Sequence, residues 1–299
     1  MMHFIGITGT TCVGKSRTAV VLAKLLNKEV VSADSMQIYR GMNVGTAKIT
    51  AEEAEGVPHR LIDVVNPDEE FSAYQWAQAA KKYLNSQPLV VGGTGFYFSA
   101  LLFPPEFGGA GETRQLLKAQ LKQHGVESLA KKLKEIDEQA YNLIDVKNPV
   151  RVLRALEIAL EGRSLAEGTG KSRQPQYKAP IFVLQRDRQT LYHMIDRRVD
   201  QMMHAGLLAE VEKLVSRYGV LDTPAFSAIG YKELIEYLRG KCDLTQAVEQ
   251  IKQNTRRYAK RQITYFKRLP DVRYVDVDSL TAEQTAYVIA DTLKKEKWL

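Results

Sequence analysis

The sequence predicts an α/β fold: a parallel sheet of five strands with helices on both faces and a helical insertion subdomain. Three observations carry that expectation. Short β-type runs alternate with helix-period pattern, which reads as successive βαβ units. A glycine-rich phosphate loop joins the first such run to the first helix. A long strandless stretch, bounded by glycine and proline clusters, interrupts the alternation.

The strand runs are residues 4–8, 29–32, 88–92, 180–185 and 272–277. The strandless stretch opens at Pro104 and Pro105 with the glycine-rich run 108–111, and closes around Gly168, Gly170 and Pro175. Inside it Leu116, Leu117, Ala119 and Leu121, and then Val152, Leu153, Ala155, Leu156, Ile158 and Ala159, read as helical patterns. The expected organisation is a core domain of residues 1–107 and 179–299 and an insertion of 108–178. Glycine-rich ends suit a subdomain that moves; the alternative is two long helices docked rigidly. Helical pattern resumes from Gln189 to about Leu269, before a last short strand and a terminal helix.

At 44% apolar and 26% charged, the 299 residues read as a globular protein. No run of eighteen apolar residues can span a bilayer, and the start lacks the basic and apolar regions of an export signal. No membrane association and a cytoplasmic location are expected. Cys12 and Cys242 make neither a disulfide framework nor a metal cluster. A formal charge of +7 invites a polyanion, but only its placement decides.

Gly9, Thr10, Thr11, Cys12, Val13, Gly14, Lys15 and Ser16 fit G-x-x-x-x-G-K-[ST] at every fixed position. Such a loop turns backbone N–H groups inward at phosphate oxygens, and the helix that follows adds its positive end. Lys15 supplies a full charge, and the Ser16 hydroxyl can ligate a Mg2+ that bridges the phosphates. The loop indicates a diphosphate and does not by itself say whether that diphosphate belongs to ATP.

A P-loop ATPase places an acidic residue after a second apolar strand. Here the run Leu89, Val90, Val91 leads instead into Gly92, Gly93, Thr94 and Gly95. Those glycines imply close backbone approach to something; a plain tight turn with a capping threonine is the simpler alternative. The nearest carboxylate, Asp34, falls at the carboxyl end of the second strand, the edge where open α/β sheets bind ligands. It suits a metal ligand, a general base or a helix N-cap.

Residues 252–268 carry seven basic residues and no acidic one. On a helix Arg257, Arg261, Thr264 and Arg268 share a face, opposite an apolar stripe of Ala259, Ile263 and Phe266. Like charges at this density repel unless a polyanion or acidic neighbours offset them; nucleic-acid phosphate is favoured over a merely solvated face.

Together GTTCVGKS, DSMQIYRGMNVGTAK (34–48), GGTGFYFSAL (92–101), NPVRVLRALEI (148–158), AIGYKEL (228–234) and TRRYAKRQITYFKR (255–268) resemble the bacterial tRNA dimethylallyltransferases, over nearly the whole chain. The resemblance implies a P-loop-kinase-like sheet and transfer of a dimethylallyl group from dimethylallyl diphosphate to N6 of adenosine 37, beside the anticodon. It implies that residues 9–16 bind the diphosphate and that Asp34 is the general base. It further implies that Asp34, Ser35, Met36 and Gln37 contact the target base, with Gln37 reading its edge. Thr94 would lie on the bridging or leaving oxygen of the diphosphate, Arg198 on the diphosphate, and Arg151 and Arg154 on tRNA. Met194 departs from the arginine of many relatives, and two cysteines cannot build the zinc finger of eukaryotic ones.

The expected partners are a tRNA anticodon stem-loop and dimethylallyl diphosphate, with Mg2+, acting on a monomer. An ATP-dependent small-molecule or nucleoside kinase is the rival enzyme reading. A non-catalytic RNA-binding P-loop protein would leave Asp34 without a task.

Overall fold

A computed structural model describes residues 3–103, 111–168 and 174–299. Of the expected hinge clusters, positions 104–110 and 169–173 lie outside the described residues. The chain forms two compact units, Met1–Leu102 with Gln176–Leu299, and Phe103–Pro175. Their boundaries stand at 102/103 and 175/176, against the 107/108 and 178/179 read from composition.

In the first unit the order begins β1 (Ile5–Gly9), α1 (Lys15–Leu26), β2 (Val30–Ser32), α2 (Ala51–Ala54), β3 (His59–Arg60), α3 (Ala73–Lys81), β4 (Leu89–Val91) and α4 (Gly95–Leu102). The second unit contains α5 (Gly111–Ile136), bent at Gly125 where φ is 74°, then α6 (Glu138–Leu143) and α7 (Pro149–Leu160). The first unit resumes with β5 (Ile181–Gln185), α8 (Arg188–His204), α9 (Leu207–Tyr218), α10 (Tyr231–Leu238), α11 (Leu244–Phe266), β6 (Val272–Asp276) and α12 (Ala282–Lys295).

The sheet has six strands in the order β3-β2-β4-β1-β5-β6, all neighbours parallel. The sequence predicts five. The additional strand, β3, is two residues long and pairs His59 with Val30 and Arg60 with Val31. It has no hydrophobic alternation of its own and exists only through the edge that β2 offers.

Alternation along β1 places helices on both faces. Ile5 and Ile7 join Val20 and Leu22 of α1 and Ile289 and Leu293 of α12 in one buried core. On the other face the α-carbon of Gly6 is so close to Phe98 of α4 and to Ile181 that a Cβ there would stand 3.1 Å from each. Trp76 of α3 stacks on Tyr97 of α4 with centroids 4.5 Å apart, and its indole N–H donates to the Ser32 carbonyl at 2.8 Å.

The second unit has a core of its own, built from Leu117, Leu129, Leu133, Val152 and Leu156. Asn148 caps α7 by accepting the N–H groups of Val150 and Arg151, and Pro149 takes the first helical position.

Candidate active site

The carboxyl ends of β1, β2 and β4 meet at a cleft of about 210 Å³. Thr11–Arg17, Asp34, Gln37, Thr46, Ala47, Val91–Gly93, Arg198, Tyr258 and Gln262 line it. Every one of these residues belongs to the first unit.

The phosphate loop forms as its glycines require. Gly9 has φ 144°, and a Cβ there would meet the Leu184 carbonyl oxygen at 2.4 Å. Gly14, with φ 98°, starts α1. Among the described residues the N–H groups of Val13, Gly14, Lys15 and Ser16 have no protein acceptor, so they remain for an anion. Thr11 differs: its N–H donates to Gln262 Oε1 at 3.0 Å and is not available. Lys15 Nζ donates to the carbonyls of Gly9 at 3.0 Å and Thr10 at 2.6 Å. Burial lowers its pKa to about 8, with Asp34 opposing that shift and Arg198 adding to it. Arg198, from α8, reaches the loop at Cys12 Sγ, 3.9 Å away, and pairs with no carboxylate among the described residues.

Asp34 follows β2, but no helix starts there. Its Oδ1 accepts the N–H of Met36 at 2.9 Å and of Gln37 at 3.4 Å, capping a turn where a helix cap was one expectation. Its Oδ2 has no protein donor among the described residues. The N–H of Ser35 donates to Thr94 Oγ1 at 3.0 Å, and the Thr94 N–H donates to the Ala33 carbonyl at 3.1 Å. These bonds hold Asp34, Ser35 and Thr94 together.

The glycines of 92–95 are pressed against the chain itself. A Cβ on Gly92 would stand 2.1 Å from the Ala33 carbonyl oxygen, on Gly93 2.4 Å from Gln262 Nε2, and on Gly95 2.3 Å from the Tyr265 ring. The carboxylate of an ATPase is absent here, and the turn is packed between β2 and α11.

The basic helix is α11, with its buried face rotated from the one expected. Ala259 and Phe266 are buried, but Ile263 is 44% exposed and Gln262 takes its place inside. Arg256 pairs with Asp196 of α8, and Lys252 with Asp200 and Glu249. Acidic neighbours thus offset part of the charge. Arg257 and Arg261 stay exposed, and the Arg261 guanidinium lies 5.7 Å from the Tyr258 ring centroid.

Arg151 and Arg154 lie on α7 in the second unit, Arg151 exposed. Arg154 bonds the buried carboxylate of Glu157 at 2.9 Å, which Arg114 also bonds at 3.1 Å. Arg154 therefore has a structural task in its own helix.

Sequence reasoning missed Tyr258, Gln262, Thr46 and Ala47 as cleft residues. A signal existed for Gln262: it sits three residues after Ala259 and four before Phe266, a polar side chain on an apolar stripe.

The chain matches the family model described as IPP transferase over residues 37–269, and that described as Isopentenyl transferase over 2–66. It is 42% identical to the tRNA dimethylallyltransferase of Clostridioides difficile, with 97% of this chain and 94% of that one covered. The corresponding figures for the tRNA dimethylallyltransferase of Exiguobacterium sibiricum are 41%, 96% and 94%. The crystal structure of the tRNA isopentenylpyrophosphate transferase from Bacillus halodurans superposes with a TM-score of 0.73 at 40% identity, covering 99% of this chain and 98% of that one. A eukaryotic dimethylallyltransferase acting on tRNA gives a TM-score of 0.84 at 26% identity, covering 99% and 79%.

Proposed function

Because this chain belongs to the IPP transferase family, whose matched relatives are tRNA dimethylallyltransferases, we propose that it moves a dimethylallyl group from dimethylallyl diphosphate to N6 of adenosine 37 in tRNA. One observation carries the site assignment. A carboxylate oxygen without a protein partner, Asp34 Oδ2, lies in the same cleft as an anion-binding loop, Lys15 and Arg198.

In the reaction the N6 lone pair bonds to the first carbon of the prenyl group. The carbon–oxygen bond breaks, its electron pair leaves with the diphosphate, and the N6 proton passes to Asp34 Oδ2. Lys15, Arg198 and the N–H groups of residues 13–16 meet the negative charge that grows on the departing oxygens. Thr94 accepts the Ser35 N–H, and in this reading it serves the leaving oxygen of the diphosphate.

Ser16 fits the metal role, since it lines the cleft and its hydroxyl makes no protein hydrogen bond among the described residues. A Mg2+ ion would be held there and by diphosphate oxygens, and would supply positive charge to them. No group of three or more His, Cys, Asp or Glu able to hold a metal occurs among the described residues, so substrate and water would supply most ligands.

Arg257 and Arg261 on α11, and Arg151 on α7, meet RNA phosphates in this reading, with the chain acting as a monomer in the cytoplasm. No helix among the described residues is long and apolar enough to cross a membrane. The decisive experiment is mass spectrometry of tRNA nucleosides after incubation with dimethylallyl diphosphate. A prenylated adenosine is expected. Phosphorylation of a small acceptor by ATP without prenyl transfer would refute the reading in favour of a kinase.

A further inference from the structure

Glu210, in the first turn of α9, lies outside the cleft lining and collects four hydrogen bonds on one carboxylate. Oε2 accepts the N–H groups of Asn43 and Val44, each at 2.8 Å. Oε1 accepts the Gly45 N–H at 3.1 Å and the Tyr231 hydroxyl at 2.6 Å. Three consecutive N–H groups around an anion form a closed nest. Burial, with the Glu210 charge beside it, pushes the Tyr231 phenol far above its ordinary range, so it remains a donor. The Tyr231 ring fits only because residue 45 is glycine: a Cβ there would lie 2.6 Å from it.

The nest sets the turn that follows. The N–H of Ala47 donates to the Val44 carbonyl and that of Lys48 to the Asn43 carbonyl, both at 3.0 Å. The carbonyls of Thr46 and Ala47 then receive Gln37 Nε2 at 3.3 and 3.4 Å. A carbonyl oxygen can only accept, so the NH2 group of Gln37 must face these two. Its Oε1 is thereby turned toward the Ser32 hydroxyl, which donates to it at 3.2 Å, and one lone pair is left for the cleft. Gln37 therefore offers the cleft an acceptor. An acceptor suits an exocyclic amino group and opposes a keto oxygen.

We propose that Glu210 is a positioning residue for base selection: through the 43–47 turn it fixes the orientation of the Gln37 amide so that an acceptor meets the target nucleobase. The proposal rests on the reading that a nucleobase enters this cleft. It is tested with two hairpin RNAs, one carrying adenosine at the target position and one carrying purine riboside, which lacks the amino group. Wild-type protein is expected to bind the adenosine hairpin more than about 3–10-fold more tightly, since that is the worth of one hydrogen bond and the amino group meets both Gln37 Oε1 and Asp34 Oδ2. In Glu210→Ala the ratio falls by about 3–10-fold, the worth of one hydrogen bond, to the value that the Asp34 contact with the amino group leaves, while affinity for inorganic diphosphate, bound at the P-loop, is kept. Tyr231→Phe removes one of the four bonds and keeps the ring, so its ratio falls between the two. A folded Glu210→Ala protein with the wild-type ratio overturns the proposal, as does a wild-type ratio of 1 with both hairpins bound. If Glu210→Ala does not fold, an unchanged ratio in Tyr231→Phe overturns it. Failure of wild-type protein to bind either hairpin refutes the RNA reading itself.

Discussion

Gln262 Nε2 donates to the Gly93 carbonyl oxygen at 2.8 Å, across 169 residues of sequence. The other end of the same amide accepts the Thr11 N–H, so one side chain of the basic helix clamps both the phosphate loop and the glycine turn. Gln262→Leu leaves two polar backbone groups without partners. The expected loss is about 2–6 kcal/mol of stability, at roughly 1–3 kcal/mol for each orphaned group. Gln262→Glu retains an acceptor for Thr11 but loses the donor and places a negative charge beside the anion site. Its diphosphate affinity falls more than its melting temperature, and calorimetry alongside thermal unfolding separates the two effects.

Asp34 holds a turn with one oxygen and leaves the other to the cleft, which separates its two roles by substitution. Asp34→Asn keeps an acceptor for the N–H groups of Met36 and Gln37, so stability and substrate binding change little. Single-turnover prenyl transfer falls by about 10²–10⁴-fold, the range for loss of a positioned base. Asp34→Ala loses the same rate and about 1 kcal/mol of stability with the cap. An Asn variant at near wild-type rate would assign the proton to another acceptor.

Lys15 gives the cleft a pH dependence. With its pKa lowered to about 8 in the folded protein against an ordinary 10.5, the ammonium is charged below pH 8 and loses its proton above it. Diphosphate binding favours the charged form, so affinity is steady up to pH 8 and then falls by up to about tenfold per unit. Folding responds with the opposite sign. Between pH 8 and 10.5 the unfolded chain binds more protons at this lysine, so stability rises with pH on its account. Titration calorimetry with diphosphate from pH 7 to 10 measures the first, and Lys15→Met removes the dependence.

Cations of α11 divide into paired and unpaired sets, and salt dependence tells them apart. Arg257→Ala with Arg261→Ala weakens tRNA binding and reduces the slope of log affinity against log salt by about 2, roughly one for each phosphate no longer neutralised. Arg256→Ala removes a cation already paired with Asp196 and changes the slope much less. Affinity for the prenyl diphosphate stays near wild type in the arginine double variant. Normal tRNA binding by that variant across several salt concentrations would reduce the helix to a solvated face.

The sequence determined those parts of this protein that local spacing encodes. Gly9, Gly14, Lys15 and Ser16 define the phosphate loop by their intervals alone, because a nest needs particular residues at consecutive positions. The apolar runs of β1, β2, β4 and β5 announce strands because strands buried in a parallel sheet are apolar on both faces. At the sheet edge β6 is marked instead by Val272, Tyr274 and Val275 among polar residues. The tertiary structure decided what depends on neighbours distant in the chain. β3 is a strand only because the edge of β2 pairs with it. Gln262 rather than Ile263 turns inward because Thr11 and Gly93 offer the bonds that satisfy a buried amide. The glycines at 92, 93 and 95 face Ala33, Gln262 and Tyr265, where sequence could say only that something approaches. Periodicity fixes which residues share a face, but the partner supplied by the fold fixes which face is buried.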